Sequence, residues 1–291
     1  MLYLVGSIIL SSWLTLSFKL VERFGINNLQ AIVFNYLTCV ITGSIVNGSF
    51  PVRQETFKEP WFPWALVMGT MFILLFNLVA ATAQKLGVAV ASVAYKLSLV
   101  IPFVFSLYLY NEDNSALKTF GIGLALAAVI LTCYQPNAGK ESGRRSFLIW
   151  VLPLMLFIGS GLLDTMIKYV EQSFLDKTNN NLYLITAFLA AGTVGILLLG
   201  ILVLVKKQRL SWKAVLAGIA IGVPNYFSIW CLIKVLKSYD ANSSAIIPIN
   251  NMGIVLFSAV VAFVFFRERL SLVNWIGIVL SVGAIGLIAF G

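Results

Sequence analysis

The sequence predicts an all-α polytopic membrane protein: ten transmembrane helices, set as two inverted five-helix repeats around a central cavity. Three observations predict it. The chain of 291 residues is 60% hydrophobic and only 11% charged, where a soluble domain carries roughly twice that charged fraction. Its apolar residues gather in runs of about 18 or more, each long enough to cross the ~30 Å hydrocarbon core as a helix. Rare charged residues and glycines also recur half a chain apart. A transmembrane barrel is excluded, because its strands alternate apolar and polar residues and this chain does not.

The ten runs are 2–20, 29–46, 61–82, 88–110, 117–134, 147–167, 182–205, 212–235, 244–266 and 272–290. Connections between them are short, so neighbours are expected to pack as antiparallel hairpins. Residues 1–20 lack the basic start and the A-x-A-like cleavage site of a signal peptide, and they are read as the first span. The polar stretch "PNAGKESGRRS", 136–146, divides the chain into a first repeat, 1–138, a linker, 139–146, and a second repeat, 147–291.

The halves overlay on rare residues. A shift of 156 (277 minus 121) lays Glu112 on Glu268 and Gly121 on Gly277. A shift of 149 (168 minus 19) lays Ser11, Thr15, Lys19 and Glu22 on Ser160, Asp164, Lys168 and Glu171. Five spans per repeat make the second half enter the membrane with opposite orientation, which gives an inverted repeat. Of the twenty basic residues, eleven fall on the side that holds connections 1–2, 3–4, 5–6, 7–8 and 9–10, against six on the other. Positive-inside reasoning places that side in the cytoplasm and both termini outside.

The formal charge of +9 comes from basic residues scattered among connections and helix ends. They set topology and meet lipid headgroups, so no nucleic acid is expected as a partner. Cys39, Cys133 and Cys231 lie within spans at wide spacing and are read as small apolar residues. The chain has no histidine, which excludes His-based catalysis and imidazole metal ligation. No phosphate-binding loop, HExxH or CxxC occurs, so no cofactor, no metal and no catalytic residues are expected.

Spans 1 and 6 carry polar stripes. Ser7, Ser11, Thr15, Lys19 and Glu22, and then Ser160, Asp164, Lys168 and Glu171, follow at steps of four and three, which keep one helix face. Such a face is costly toward lipid and should look onto protein or a watery cavity. Lys19 and Lys168 either snorkel to headgroups or act as gate elements near opposite membrane faces. Asp164 lies deeper, with Lys168 one turn on as its natural partner.

Lys96, near the middle of span 4, is too deep to snorkel easily. It must find a partner, lose its proton or face water. Ser92, Tyr95 and Ser98 are its polar neighbours; it serves as a substrate-facing cation or in an ion pair with Asp164. In span 9 Pro248 is expected to break the helix beside Asn250 and Asn251, and in span 8 Pro224 beside Asn225, Tyr226 and Trp230. Interrupted helices bind substrate in transporters, although such residues also make purely structural kinks. Asn77 in span 3 and Asn35 in span 2 are weaker candidates.

Near the end of each half a proline-containing span leads to a loop glutamate, with a glycine nine residues on. Pro102, Glu112 and Gly121 fit in the first half, Glu268 and Gly277 in the second. With its five-plus-five layout, the chain resembles the EamA-like family of the drug/metabolite transporter superfamily. Ser258 stands where Pro102 would map, and the first loop reads "YNED", without the glycine often seen before the glutamate. The resemblance implies a bundle with a cavity lined by spans 1, 3, 4, 6, 8 and 9, and alternating access by rocking of the halves. Members move amino acids, nucleotide sugars, sugar phosphates or cationic drugs. The loop glutamate and glycine look like packing features of the hairpin.

The function expected is that of a secondary-active exporter or exchanger, not an enzyme, working by alternating access. Within the spans Lys19, Lys96 and Lys168 stand against Asp164 alone, which favours a zwitterionic or anionic cargo such as an amino acid. A multidrug or organic-cation exporter of the same fold is the alternative; an intramembrane enzyme or a scaffold ranks below it. Protons are a candidate coupling ion. The partners expected are a small-molecule substrate and the lipid bilayer, with the chain a monomer in a bacterial cytoplasmic membrane.

Overall fold

The structure, a computed structural model, describes every residue except Met1, Ser49, Pro51, 110–114, 135–143, 176–178, 206–207, 239–242 and Gly291. Glu112 and residues 139–143 of the expected linker lie outside the described residues. The helices are α1 (Leu2–Arg23), α2 (Asn28–Asn47), α3 (Phe62–Leu86), α4 (Val88–Leu97), α5 (Val100–Leu109), α6 (Ala116–Cys133), α7 (Arg144–Phe174), α8 (Asn180–Leu204), α9 (Trp212–Ser238), α10 (Ser243–Phe265) and α11 (Leu272–Phe290), with a short 3-10 turn at Gln54–Lys58. No strand occurs among the described residues. Among the described residues nine stretches are long and apolar enough to cross a membrane, one of them α4 with the start of α5 (Val88–Phe105), and α11 holds a shorter apolar stretch, Leu272–Ile288. The chain is an all-helical, polytopic membrane protein.

The helix breaks do not fall where the prolines of spans 8 and 9 suggested. α9 and α10 run unbroken through Pro224 and Pro248. Pro248 is the sixth residue of α10, so its missing N–H costs the helix a single bond, to the carbonyl of Ser244 near its start. The interruption lies instead in span 4, at Ser98–Leu99. Pro102 then falls in the first turn of α5, where an N–H has no helical partner anyway. Ser98 turns its hydroxyl to the Tyr95 carbonyl at the break. At its other end α4 meets α3 through one residue, Gly87, whose φ of 110° only glycine adopts readily.

Two compact units emerge, each drawing on both halves of the sequence. One comprises Met1–Lys19, Leu78–Leu162 and Phe227–Gly291; the other comprises Leu20–Asn77 and Leu163–Tyr226. In the first, α6 lies along α11 and α4 along α10. Their core gathers Val93, Leu97, Ala125, Ala128, Val255, Ala259 and Ile285. A Cβ on Gly121 would stand 3.2 Å from the Ile288 nitrogen, and one on Gly277 only 2.6 Å from the Thr132 nitrogen. The shift that lays Gly121 on Gly277 also lays Thr132 on Ile288, so the contact is reciprocal. The same shift pairs the caps: Ser115 accepts from the Lys118 N–H at 3.1 Å, and Ser271 from the Asn274 N–H at 3.2 Å.

In the second unit α2 lies along α8. Tyr36 is wholly buried among Phe72, Phe76 and Phe188, at ring separations of 6.1, 5.4 and 6.0 Å. α9 approaches α2 through Gly218 and Gly222, where an added Cβ would stand 2.9 Å from the Asn35 nitrogen and 2.6 Å from its carbonyl oxygen. This is small-residue packing at a spacing of four, as membrane helices use to bring backbones together.

Candidate functional site

In the first unit α4 carries the features expected of a site. Lys96 lies in its last turn, half-buried, with Nζ 4.4 Å from the centre of the Tyr95 ring. The negative end of the helix favours a cation there, and the ring face adds to it. One turn back, the Ser92 hydroxyl is buried and has no hydrogen-bond partner.

That is unusual for a helical hydroxyl, which ordinarily turns back to a carbonyl one turn earlier. Thr38, Thr70, Thr82, Thr132, Thr186 and Thr193 all do so, at 2.7 to 2.9 Å. By contrast Ser7 on α1, Ser92 on α4, Ser160 on α7, and Ser258 and Asn250 Oδ1 on α10 are at most 3% exposed and unpartnered, all in the first unit. Leaving a polar atom dry costs about 1–3 kcal/mol, so five of them on four helices form a polar set that the packing itself does not need. Asn251 is buried beside Asn250. On α1, Ser12 reaches the Ile254 carbonyl at 3.5 Å, and Ile8 fills the space over Gly253, so α1 lies against α10 just beyond Asn250. Ser11 is half-buried and Thr15 buried, which places the stripe inward as its period requires.

Two residues of the expected site are engaged otherwise. Trp230 packs edge-on to Tyr3 at 5.7 Å and takes the Lys234 cation over its ring at 5.2 Å. Lys19 donates to the Gln84 carbonyl at 3.0 Å and stands 4.0 Å from Glu268. It is tied to neighbouring helix ends, as a snorkelling lysine would not be.

In the second unit the Asn35 amide nitrogen, the Ser44 hydroxyl, the Trp61 indole N–H and the Tyr183 hydroxyl are likewise buried without a hydrogen-bond partner, while other polar residues satisfy one another. Asn225 donates to Asn35 Oδ1 at 3.1 Å, and the Cys39 thiol donates to the Gly222 carbonyl at 3.3 Å. Asn77 donates to its own helix at Ile73, 2.8 Å away. Tyr226 is buried, its ring over Gly43. Asp164 and Lys168 lie one turn apart on α7, both half-buried.

Sequence reasoning missed the partner of Lys19. Glu268, in the α10–α11 connection, folds inward until both its oxygens accept from the Val88 N–H, at 2.8 and 3.0 Å. It is the capping carboxylate of α4. Burial pushes its carboxyl above the ordinary carboxylate range, and the Val88 amide, Lys19 and the Ala89 amide pull it back only in part. The signal was one acid in a loop whose other charges, Arg267 and Arg269, are basic. The GIAIG stretch that sets α9 on α2 was missed too, although its spacing is legible.

Residues 148–290 match the EamA-like transporter family. Over that second half the sequence is that of an EamA-like membrane transporter. The chain is 24% identical over 292 residues to an uncharacterized protein of Haemophilus influenzae, across 97% of this chain and 95% of that one. A protein of known crystal structure superposes with a TM-score of 0.62 at 17% identity, covering 98% of this chain and 94% of the other. That likeness speaks for the fold of the transporter over its whole length.

Proposed function

We propose that this transporter is a secondary-active exporter or exchanger of a small polar metabolite, zwitterionic or anionic, such as an amino acid. It works by alternating access in a bacterial cytoplasmic membrane, as a monomer of two inverted five-helix repeats. The family match begins and ends one residue inside the expected second repeat, 147–291, which supports that division. The observation that carries the reading is the polar set of the first unit: Lys96 as the cation for a carboxylate, with Ser92, Ser160, Ser7 and Asn250 unpartnered on the same and neighbouring helices. Their unmet hydrogen bonds are what a polar ligand supplies. Asn250 Oδ1 is an acceptor suited to an ammonium group. Asp164, Asn225, Tyr226, Asn77, Trp230 and Lys168 rank below them, since most already serve the packing.

The test is counterflow of radiolabelled amino acids in proteoliposomes, guided by a thermal-shift screen of the purified chain against amino acids, nucleotide sugars, organic phosphates and cationic drugs. Lys96→Ala should abolish counterflow while the protein stays monodisperse. Unchanged flux in that variant, or stabilisation by cationic drugs alone, sinks the assignment in favour of an organic-cation exporter.

A further inference from the structure

α4 is a ten-residue helix with a joint at each end: Gly87, its one-residue link to α3, and the Ser98–Leu99 break before α5. It is the element that carries Ser92 and Lys96. A short rigid segment between two joints tilts as a unit unless something holds one of its ends.

Something does. The Glu268 carboxylate, only 12% exposed, takes the first N–H of the helix on both oxygens, where it also faces the positive end of the helix. It lies in a cradle that glycine alone leaves open, since a Cβ on Gly87 would come within 2.8 Å of its Oε2. Around it the ends of α1 and α3 are stitched together: Lys19 to the Gln84 carbonyl at 3.0 Å, and the Gln84 amide to the Phe18 carbonyl at 2.9 Å. Lys19 completes the cluster 4.0 Å from Glu268. Lys19 of α1, the Gly87 link between α3 and α4, and the α10–α11 connection thus meet at this carboxylate.

We propose that Glu268 is a positioning residue, a latch that holds the hinge end of α4 docked, and that its release lets α4 tilt with Ser92 and Lys96 during transport. The proposal rests on the transporter reading above for what the tilt accomplishes, but not for the latch itself.

The docked carboxyl holds its proton to a higher pH than it would in water. Docking and proton uptake are therefore linked: acid favours the docked latch, and docking weakens as pH rises through the titration. The charged group set against it is Lys19 from α1. α3 carries Lys85 in its last turn, and its own loop adds Arg267 and Arg269; α10 and α11 carry no acid or base, and α4 has only Tyr95 and Lys96, at its far end.

Hydrogen exchange of the full chain in lipid nanodiscs, followed on peptides covering residues 84–97, tests this without any substrate. A hydrogen bond to a charged group contributes about 1.5–3 kcal/mol. Glu268→Ala should therefore speed exchange at the start of α4 by about tenfold or more, with other helices unchanged. In the parent chain α4 protection, corrected for intrinsic rates, should fall as pH rises. Glu268→Gln, which keeps the shape and an acceptor, should make it independent of pH. Unaltered α4 exchange in both variants, or the same pH dependence in Glu268→Gln, overturns the latch. Amino-acid counterflow, measured in parallel, separates the two ideas. Loss of flux in Lys96→Ala with α4 exchange indifferent to Glu268 leaves the transport reading standing and removes the latch. A responsive α4 in a chain that moves no amino acid does the reverse.

Discussion

Two pairs of spans related by the 156-residue shift lie side by side in the first unit, and they match to different degrees. Across α6 and α11 the 156-residue shift maps like onto like: Gly121 onto Gly277, and the capping Ser115 onto Ser271, with the close contacts reciprocal. Across α4 and α10 it maps Ser92 onto Pro248, Tyr95 onto Asn251 and Lys96 onto Met252. One member of that pair is broken and carries a lysine; the other is continuous and carries two asparagines. The symmetric pair does structural work that two copies of one solution satisfy. On the proposed function the asymmetric pair is the one free to bind cargo, since a small metabolite has no twofold axis to match. The differences between the halves therefore point to the site more directly than the similarities do.

The largest effect should come from breaking the symmetric pair. A Cβ on Gly277 would collide with backbone at Thr132 and Ala128, neither of which can rotate aside. Gly277→Val, and Gly121→Val at the mirrored contact, should each cost upward of about 3 kcal/mol and leave little monodisperse protein after extraction. Gly123, on the same helix as Gly121, has nothing within 4 Å of a built Cβ. Gly123→Ala should be neutral or gain up to about 1 kcal/mol. Equal losses in all three would show that these positions matter by propensity and not by contact.

Next comes the asymmetric pair. Lys96→Met gives α4 the residue that α10 already has at the matching place. Flux should fall by tenfold or more with the melting temperature unchanged or raised, because a half-buried cation is exchanged for an apolar side chain. A loss of folding there would make Lys96 a structural ion-pair partner.

The second unit supplies a smaller contrast, since Asn225 and Asn35 are joined there by a hydrogen bond. Asn225→Ala takes away the donor to Asn35 Oδ1 and should cost about 1–3 kcal/mol. Asn35→Ala should cost a similar amount, and the double variant clearly less than the sum, read from unfolding in mixed micelles. Additive losses would mean that the pair is not coupled.

Much of this was legible in the sequence, and the remainder has identifiable reasons for being hidden. Hydropathy marks the spans because a lipid-facing backbone must satisfy itself, and 29–46 or 212–235 lie within two or three residues of the helices that form. It does not mark where a helix breaks. Pro224 and Pro248 look like breaks and are not, while Pro102 causes one several residues before itself. What decides is whether a proline falls within a first turn, and that depends on where the chain is free to start one. Lys96 could be singled out by its depth alone. Ser258 could not, because a serine that turns to its own backbone and one that does not read identically. Glu268 was visible as a residue but not as a cap, since Val88 lies 180 positions away.

The smallest effect should come from Arg267, beside the latch. It holds a φ of 52°, the sole non-glycine residue in the left-handed region among those described. That conformation turns the chain out of α10 and aims the next residue, Glu268, inward; the Glu268 N–H returns to the Ala262 carbonyl at 3.1 Å. An L-residue there carries about 1 kcal/mol of strain that glycine does not, while glycine loses more entropy on ordering. The two nearly cancel, so Arg267→Gly should shift stability by less than about 1 kcal/mol. The exposed guanidinium contributes no cap of its own, so α4 exchange should keep the parent's rate and pH dependence. Faster exchange in Arg267→Gly would mean that the loop's charge, and not its turn, holds Glu268 in place. The comparison would then sharpen to a question of which of the two basic neighbours supplies it.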